Sequence, residues 1–262
     1  MKHGKMTRTI SRSSAPVLED LELEQARLIT RPGLARIARA RALGPWTLAI
    51  ARRLKEQGWL LPLKTKGVWE FAPAARAGAF TAGDPYIELR ATLLRRPDFP
   101  VQLAYDSAAW LLGLMQRPPN RDVISVPFKT IVPVALAAFR IVHRRPKLPT
   151  VDHNGLPVWQ LESLLVLMAA QPRLFRDWPN VSQWLSDAVS RVDPSKVRVE
   201  LDSQSRAARI RAAYLLEQGG GGDFARDLMV GVSTSGLTYF GPRKGDLKYD
   251  SRYNLYDSLL KS

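Results

Sequence analysis

A short basic segment, in which helix-forming stretches alternate with chain breakers, constrains the fold of this sequence most. Residues 31–67 hold nine arginine and lysine residues and a single acidic residue, Glu56. The whole chain of 262 residues has a net charge of +15, so more than half of its positive excess lies in this segment. A run of charge can simply be the solvated face of a helix, but an excess of this size favours an anionic partner such as nucleic acid.

Two helices are predicted around the start of this segment. Residues 17–27 place Leu18 and Leu21 at helical spacing with acidic residues on the opposite side, which is typical of a supporting helix. Thr30 can cap the next helix, and Pro32 then lies in the first turn, where its missing N–H costs nothing. We therefore expect a helix pair ahead of the most basic stretch.

A third helix is predicted after a chain-breaking cluster. Gly44 can adopt a left-handed turn, and Pro45 can begin a new helix that ends at Gly58. The expected buried face of this helix consists of Leu48, Ala51 and Leu54. The remaining positions, which include several arginines, would then face outward.

A basic hairpin is predicted next. Residues 59–63 and 68–71 are short β-prone runs, and the turn between them contains Lys64, Lys66 and Gly67. Three helices followed by a hairpin are the order of a winged helix-turn-helix. The third helix of such a module enters the major groove of DNA, which is wide enough for one helix.

The predicted module supplies a set of candidate DNA contacts. The residues that we expect to bind DNA are Arg31, Arg36, Trp46, Thr47, Arg52, Arg53, Lys64 and Lys66. Thr47 and Arg53 could read base edges, Arg52 suits a phosphate, and the two lysines could reach adjacent phosphates or the minor groove. Trp46 is equally well explained as a core aromatic, and a winged helix can also serve protein contacts alone.

Composition divides the chain into three parts. Residues 1–16 are basic and free of acids, which predicts a flexible tail, with an arm in the minor groove as the alternative. Small residues over 71–83 predict a linker, so we place the winged helix at 17–78 and a second domain at 79–262. Several short strands and apolar helices predict a mixed α/β second domain. Its helices include one over residues 107–115, with Asp106 as its cap, and one over residues 156–170. The fold class expected for the chain is therefore α+β.

No catalytic arrangement emerges from the sequence. Cysteine is absent, and His3, His143 and His153 do not have the spacing of a metal site. The glycines at 219–222 are not followed by Gly-Lys-Ser/Thr, so they indicate a helix end and turn rather than a phosphate loop. We expect no catalytic residue, metal or cofactor.

Two further features bear on partners and location. Aromatic and basic residues alternate near the C-terminus, which is typical of single-strand binders but also of a hairpin that packs its tyrosines on the domain. The longest apolar run, residues 131–139, is too short to span a bilayer, and the N-terminus has no apolar signal segment. The sequence predicts a cytoplasmic protein without a membrane partner.

Several motifs occur together in a familiar order. They are Gly58-Trp59-Leu60, Lys66-Gly67-Val68-Trp69-Glu70-Phe71-Ala72-Pro73, Asp84-Pro85-Tyr86 and Ser107-Ala108-Ala109-Trp110-Leu111-Leu112-Gly113. Residues 162–172 and 213–216 continue the pattern. This succession resembles the AbiEi-type antitoxins of bacterial type IV toxin–antitoxin systems, which act in abortive infection as a phage defence.

The resemblance implies a function. It implies an N-terminal winged helix that represses its own operon at inverted repeats in double-stranded DNA, which leaves open a homodimer on DNA. It also implies a C-terminal domain that counters a cognate nucleotidyltransferase-type toxin without being an enzyme. The operator contacts carry over only by position in the module, onto Thr47, Arg52, Arg53, Lys64 and Lys66.

Two other functions fit the residues. One is a winged-helix transcription regulator whose C-terminal domain senses a ligand or dimerises. The other is a nucleic-acid-processing enzyme that uses the winged helix for targeting. A toxin gene next to this one would separate the antitoxin from the first alternative, and a metal-dependent cleavage assay would separate both from the second.

Overall fold

The chain folds into two compact units. The computed structural model describes residues 14–43, 47–73 and 83–260. Among these, the first unit extends to Phe99 and also takes in Val132–Ala137, and the second comprises Pro100–Ile131 and the chain from Ala138 onward. Both contain helices and small sheets, so the fold is of the mixed α+β type that the sequence predicts.

The first unit contains four helices and one small antiparallel sheet among its described residues. In chain order its elements are α1 (Ala15–Leu23), β1 (Leu28–Thr30), α2 (Arg31–Ala40), α3 (Thr47–Glu56), β2 (Leu60–Pro62), β3 (Val68–Phe71) and α4 (Ile87–Arg95). Strand β3 lies between β1 and β2 and pairs antiparallel with both. The predicted hairpin is thus present, and β1 is an additional strand that was not predicted, because three residues are too few to show an alternating pattern.

Local capping explains the start of α2. The Thr30 hydroxyl oxygen accepts a hydrogen bond of 3.1 Å from the Gly33 N–H, which confirms the predicted cap. The backbone N–H of Arg31 donates to the Gly67 carbonyl at 2.9 Å, and Gly67 itself has a positive φ of 79°. The beginning of α2 is thereby joined to the turn of the β2–β3 hairpin.

One apolar core holds these elements together. Leu34 of α2, Leu54 of α3, Leu60 of β2 and Leu21 of α1 are all fully buried in it. Removal of this much apolar surface from water is the main force that holds such short elements in place. The core therefore fixes α3 against the other two helices and the sheet.

Helix α4 belongs to the first unit by its contacts. The Glu88 carboxylate accepts hydrogen bonds from the backbone N–H groups of Lys64 at 2.6 Å and Thr65 at 3.1 Å. The boundary that we expect near residue 78 would assign this helix to the second domain, and residues 74–82 of the predicted linker lie outside the described residues. A functional division of the two halves remains a prediction.

The second unit is larger. Its helices are α5 (Tyr105–Leu111), α6 (Leu161–Ala170), α7 (Leu185–Ser190), α8 (Pro194–Leu201), α9 (Arg206–Gln218) and α10 (Gly222–Leu228). Its strands are β4 (Gln102–Leu103), β5 (Val123–Val126), β6 (Arg140–His143), β7 (Val151–His153), β8 (Leu156–Val158), β9 (Thr238–Phe240), β10 (Lys248–Asp250) and β11 (Leu255–Asp257). They form a mixed sheet of order β6-β5-β4-β8-β7 and a small sheet of order β10-β11-β9.

Helix α6 is the centre of the second unit. Its residues from Glu162 to Ala169 are all buried, and it packs against α8 and α9. An apolar helix of this kind, hydrophobic on every side, is expected only inside a core. The other helices and the mixed sheet are arranged around it.

Two predicted elements of the second unit differ from the structure. The sequence predicts one helix over residues 156–170, but β8 occupies the first part, because Asn154 and Gly155 both have positive φ and form a hairpin turn with β7. Asp106 was expected to cap a helix beginning at Ser107. The helix instead begins at Tyr105, and the Asp106 carboxylate turns inward to bind Arg140.

Within the described residues, no helix combines the length and the apolar character needed to cross a membrane.

Candidate functional site

The outward face of α3 is the most distinctive surface of the first unit. Leu48, Ala49, Arg52 and Arg53 are exposed along it, and Leu48 leaves 55% of its surface accessible. The prediction that Leu48 is buried is therefore wrong. Leu48 lies about 200° around the helix from Ile50, which packs against the core in its place.

Two of the predicted DNA-binding arginines form surface ion pairs. Arg36 of α2 donates two hydrogen bonds to the Glu24 carboxylate, at 3.0 and 3.2 Å. Arg52 of α3 donates to Glu56 one turn further along, at 2.8 Å. Exposed pairs of this kind contribute little to stability, so either guanidinium can exchange its carboxylate for a phosphate at small cost.

A third ion pair shows which basic residue is structural. Both Nε and Nη2 of Arg41 donate to the Asp20 carboxylate, at 2.9 and 2.5 Å, and tie the end of α2 to α1. The hydrogen bond from this guanidinium, together with its charge, lowers the pKa of Asp20 below its usual value. Arg41 was not among the predicted DNA contacts, and this geometry gives it a different task.

The hairpin tip presents two lysines on a fixed backbone. Lys64 and Lys66 are exposed, whereas Thr65 between them is buried and its hydroxyl donates to Glu88 at 2.9 Å. The carboxylate of Glu88 therefore holds the turn by its backbone and by Thr65, while both lysine side chains remain exposed. A loop that is fixed in this way can place its charges with little loss of entropy on binding.

The predicted site residues fall into three groups. Arg52 and Arg53 share the outward face of α3, and Lys64 and Lys66 share the hairpin tip. Exposed residues on α2 are Arg31 and Arg36. Thr47 is the first residue of α3, but its side chain lies outside the described part, as does Trp46 entirely.

Two exposed residues of the same helices were missed by the sequence reasoning. Arg39 lies on α2 with its side chain in solvent, and Leu48 lies on α3 as described above. Arg39 follows Arg36 by three positions, which is the spacing of one helix face and could have identified it. Leu48 gave no such signal, since a leucine in an amphipathic helix is normally assigned to the core.

Glu200 and Gly219 both have structural roles in the second unit. Glu200 is buried, and its carboxylate accepts hydrogen bonds from the N–H groups of Lys147 and Leu148 and from the Ser163 hydroxyl. Gly219 ends α9, and a Cβ at this position would meet Val189 Cγ2 at 2.4 Å. The prediction of a helix end at these glycines is confirmed. Across the described residues, no group of three or more histidine or acidic residues could hold a metal ion.

The C-terminal tyrosines line one face of the small sheet. Tyr249, Tyr256 and Tyr239 stand opposite one another on β10, β11 and β9. The ring centroids of Tyr239 and Tyr256 are 5.7 Å apart and those of Tyr249 and Tyr256 are 5.0 Å apart. Tyr253 is buried against Tyr214. The rings thus contact each other and the domain, as in the hairpin alternative.

Comparison with known proteins places this architecture. The model of the AbiEi antitoxin C-terminal domain matches residues 101–218. The chain is also similar to the crystal structure of the Rv2827c protein from Mycobacterium tuberculosis, with 28% sequence identity and a TM-score of 0.84 over 97% of this chain and 94% of that one. Curated proteins provide no match. The chain therefore carries an AbiEi antitoxin C-terminal domain at residues 101–218.

Proposed function

We propose that this chain is the antitoxin and transcriptional autorepressor of a type IV toxin–antitoxin operon, at work in the bacterial cytoplasm. The first unit is a winged helix-turn-helix that binds an inverted-repeat operator in double-stranded DNA. The second unit counters a cognate nucleotidyltransferase-type toxin. The AbiEi antitoxin domain at residues 101–218 supports a cognate toxin as partner, and the exposed basic surface of the first unit supports DNA binding.

The exposed face of α3 supports its role as the recognition helix. Arg53 suits a guanine, whose O6 and N7 atoms accept a guanidinium fork, and Arg52 suits a phosphate. Leu48 and Ala49 add apolar surface near the start of the same face, where a thymine methyl group can pack. A helix with charged and apolar groups side by side can distinguish base pairs, which a uniformly charged face cannot.

The other exposed basic residues are suited to position the module on the sugar–phosphate backbone of DNA. Lys64 and Lys66 form the tip of the wing, and Arg31 and Arg36 extend the basic surface along α2. Such cations bind phosphates of any sequence and set the register of the recognition helix. Inverted repeats match two copies of one module, so we propose that the chain acts on its operator as a homodimer.

A non-enzymatic role of the second unit agrees with its polar chemistry. The buried carboxylate of Glu200 accepts hydrogen bonds from two backbone N–H groups and a hydroxyl. Asp106 is likewise held by Arg140 and by two backbone N–H groups. Carboxylates bound in this way support structure, so we propose that the unit counters its toxin without catalysis.

Operator binding and repression test this proposal together. We expect purified chain to bind DNA from upstream of its own gene in fluorescence anisotropy, and to repress a reporter placed behind that DNA. Arg52→Ala/Arg53→Ala should abolish repression, whereas Arg95→Ala/Arg96→Ala removes the same charge from exposed positions at the end of α4 and should preserve it. Equal loss in both double variants would show that charge alone, and not the face of α3, is responsible.

A further inference from the structure

A cavity of about 520 Å³ lies in the second unit, beside the start of α5. Its wall is formed by residues 114–121 of the loop after α5, by Asp106, and by Arg176, Asp177, Asn180, Gln183 and Trp184. Small-molecule sites in proteins commonly have volumes of about 300–1,000 Å³. The cavity is thus large enough for a metabolite, and its lining belongs entirely to the AbiEi domain.

The lining is polar and carries a positive excess. Three arginines, Arg117, Arg121 and Arg176, face two acidic residues, Asp106 and Asp177. Asp106 is not available to repel an anion, because its carboxylate accepts 2.7 Å and 2.9 Å hydrogen bonds from Arg140 and from the Arg176 backbone N–H. The charge that remains in the cavity favours an anionic ligand.

The three arginine side chains are held in place to different extents. Arg121 is held in position, since its Nε and Nη2 groups donate to the carbonyl oxygens of Ala138 and Phe139 at 2.9 Å. Arg117 and Arg176 have exposed side chains that form no ion pair within the described part of the chain. Two guanidinium groups are therefore available to a ligand at the edge of the cavity.

Trp184 is a rigidly held aromatic residue in the cavity wall. Only 6% of this residue is exposed, and its indole Nε1–H has no hydrogen-bond partner among the described residues. Its ring packs edge-on against Phe175 with centroids 6.2 Å apart, which fixes the orientation of the indole. Because Trp184 is part of the cavity wall, its indole N–H resonance can report a ligand that binds there.

We propose that this cavity binds a phosphate-bearing small molecule. Arg117 and Arg176 would bind the phosphate, because a planar guanidinium matches two phosphate oxygens at once. The indole ring of Trp184 would form part of the wall around the ligand, and the amides of Asn120 and Asn180 suit the ligand's remaining polar groups.

Titrations followed by the indole N–H resonances of the full-length protein test the site. The chain has seven tryptophans, and Trp184→Phe identifies the resonance of Trp184 while the other six report that the fold is intact. The probes are inorganic phosphate, glucose 6-phosphate and the four nucleoside 5′-triphosphates, with glucose and the nucleosides as uncharged counterparts. We expect phosphorylated probes to shift the Trp184 resonance in a saturable way and their uncharged counterparts to leave it unchanged.

Charge-neutralising variants complete the experiment. Arg117→Gln and Arg176→Gln should each weaken binding about tenfold, the loss expected for one charged hydrogen-bonding group. Arg145→Gln removes an exposed arginine of the same unit outside the cavity and should change the affinity less than about twofold. The proposal is overturned if no phosphorylated probe shifts the Trp184 resonance at 10 mM, or if all three variants weaken binding alike. Binding of inorganic phosphate but of no phosphorylated organic probe would overturn a metabolite as the ligand.

Discussion

Glu88 on α4 accepts hydrogen bonds from both the backbone N–H and the hydroxyl of Thr65 in the β2–β3 hairpin, at 3.1 and 2.9 Å. The two residues are 23 positions apart. This contact links the proposed wing to a helix that lies beyond the predicted linker. We therefore expect Glu88 to influence DNA binding in the direction opposite to the one that its negative charge alone would give.

Glu88→Ala should weaken operator binding although it removes a negative charge. The hairpin loses the acceptor that fixes Lys64 and Thr65, so the wing must be ordered when DNA binds, at a cost of about 0.5–1.5 kcal/mol or roughly two- to tenfold in Kd. Fluorescence anisotropy measures the change. Glu22→Ala removes an exposed charge from α1 and should leave binding unchanged or tighten it. If both variants tighten binding, the hairpin does not contact DNA.

Single substitutions should distinguish the residues that read bases from those that contact phosphates. Arg53→Ala should cost about 1–3 kcal/mol on the operator and relax discrimination at one base pair, because a bidentate base contact is lost. Thr47→Ala should act in the same way if its hydroxyl reads a base edge. Lys64→Ala and Lys66→Ala should weaken operator and random DNA by similar factors. Competition titrations against both DNAs measure the difference, and a uniform loss in all four variants would contradict the assignment of α3 as the recognition helix.

Salt should weaken operator binding steeply. If about five cations of the first unit neutralise phosphates, log K falls against log salt with a slope of roughly −4 to −5. An increase from 50 to 200 mM salt would then weaken binding by about two to three decades. A nearly flat dependence in the same titration would contradict DNA binding by this surface.

Asp106→Asn should destabilise the second unit. The carboxylate is buried and binds the Arg140 guanidinium at 2.7 Å, so removal of its charge leaves Arg140 without its counter-ion, at a cost of about 3 kcal/mol. The burial that lowers the pKa of Arg140 is the same desolvation that makes the loss costly. Urea denaturation measures it. Asp187→Asn breaks the exposed pair with Arg191 and should change stability little; equal effects of the two substitutions would refute this account.

The part of the fold that was predictable from the sequence is the part that local chemistry decides. The Thr30 cap, the hairpin after α3 and the helix end at Gly219 follow from residue types within a few positions of one another. The wrong predictions concern residues whose partners lie far away in the sequence. Asp106 follows the pattern of a helix cap, but Arg140, 34 residues away, supplies a stronger partner for its carboxylate.

The candidate site was predictable only in part. Arg52, Arg53, Lys64 and Lys66 are exposed as expected, because long charged side chains rarely lie in a core. Leu48 was misassigned, since spacing alone permits two overlapping apolar faces on α3 and the packing of Ile50 selects one of them. The anchor from Glu88 to the hairpin had no signal within the sequence of either segment.

Growth of cells that express the neighbouring toxin gene tests the central claim most directly. Co-expression of the full chain should restore growth, and so should Arg52→Ala/Arg53→Ala, because we propose that the second unit neutralises the toxin and that the first binds the operator. The toxin and both antitoxin forms are expressed from unrelated promoters, so loss of repression has no influence on toxin dose. Restored growth with both forms is the predicted result. Continued growth arrest with the full chain, at protein levels that match the toxin, would contradict the antitoxin function itself.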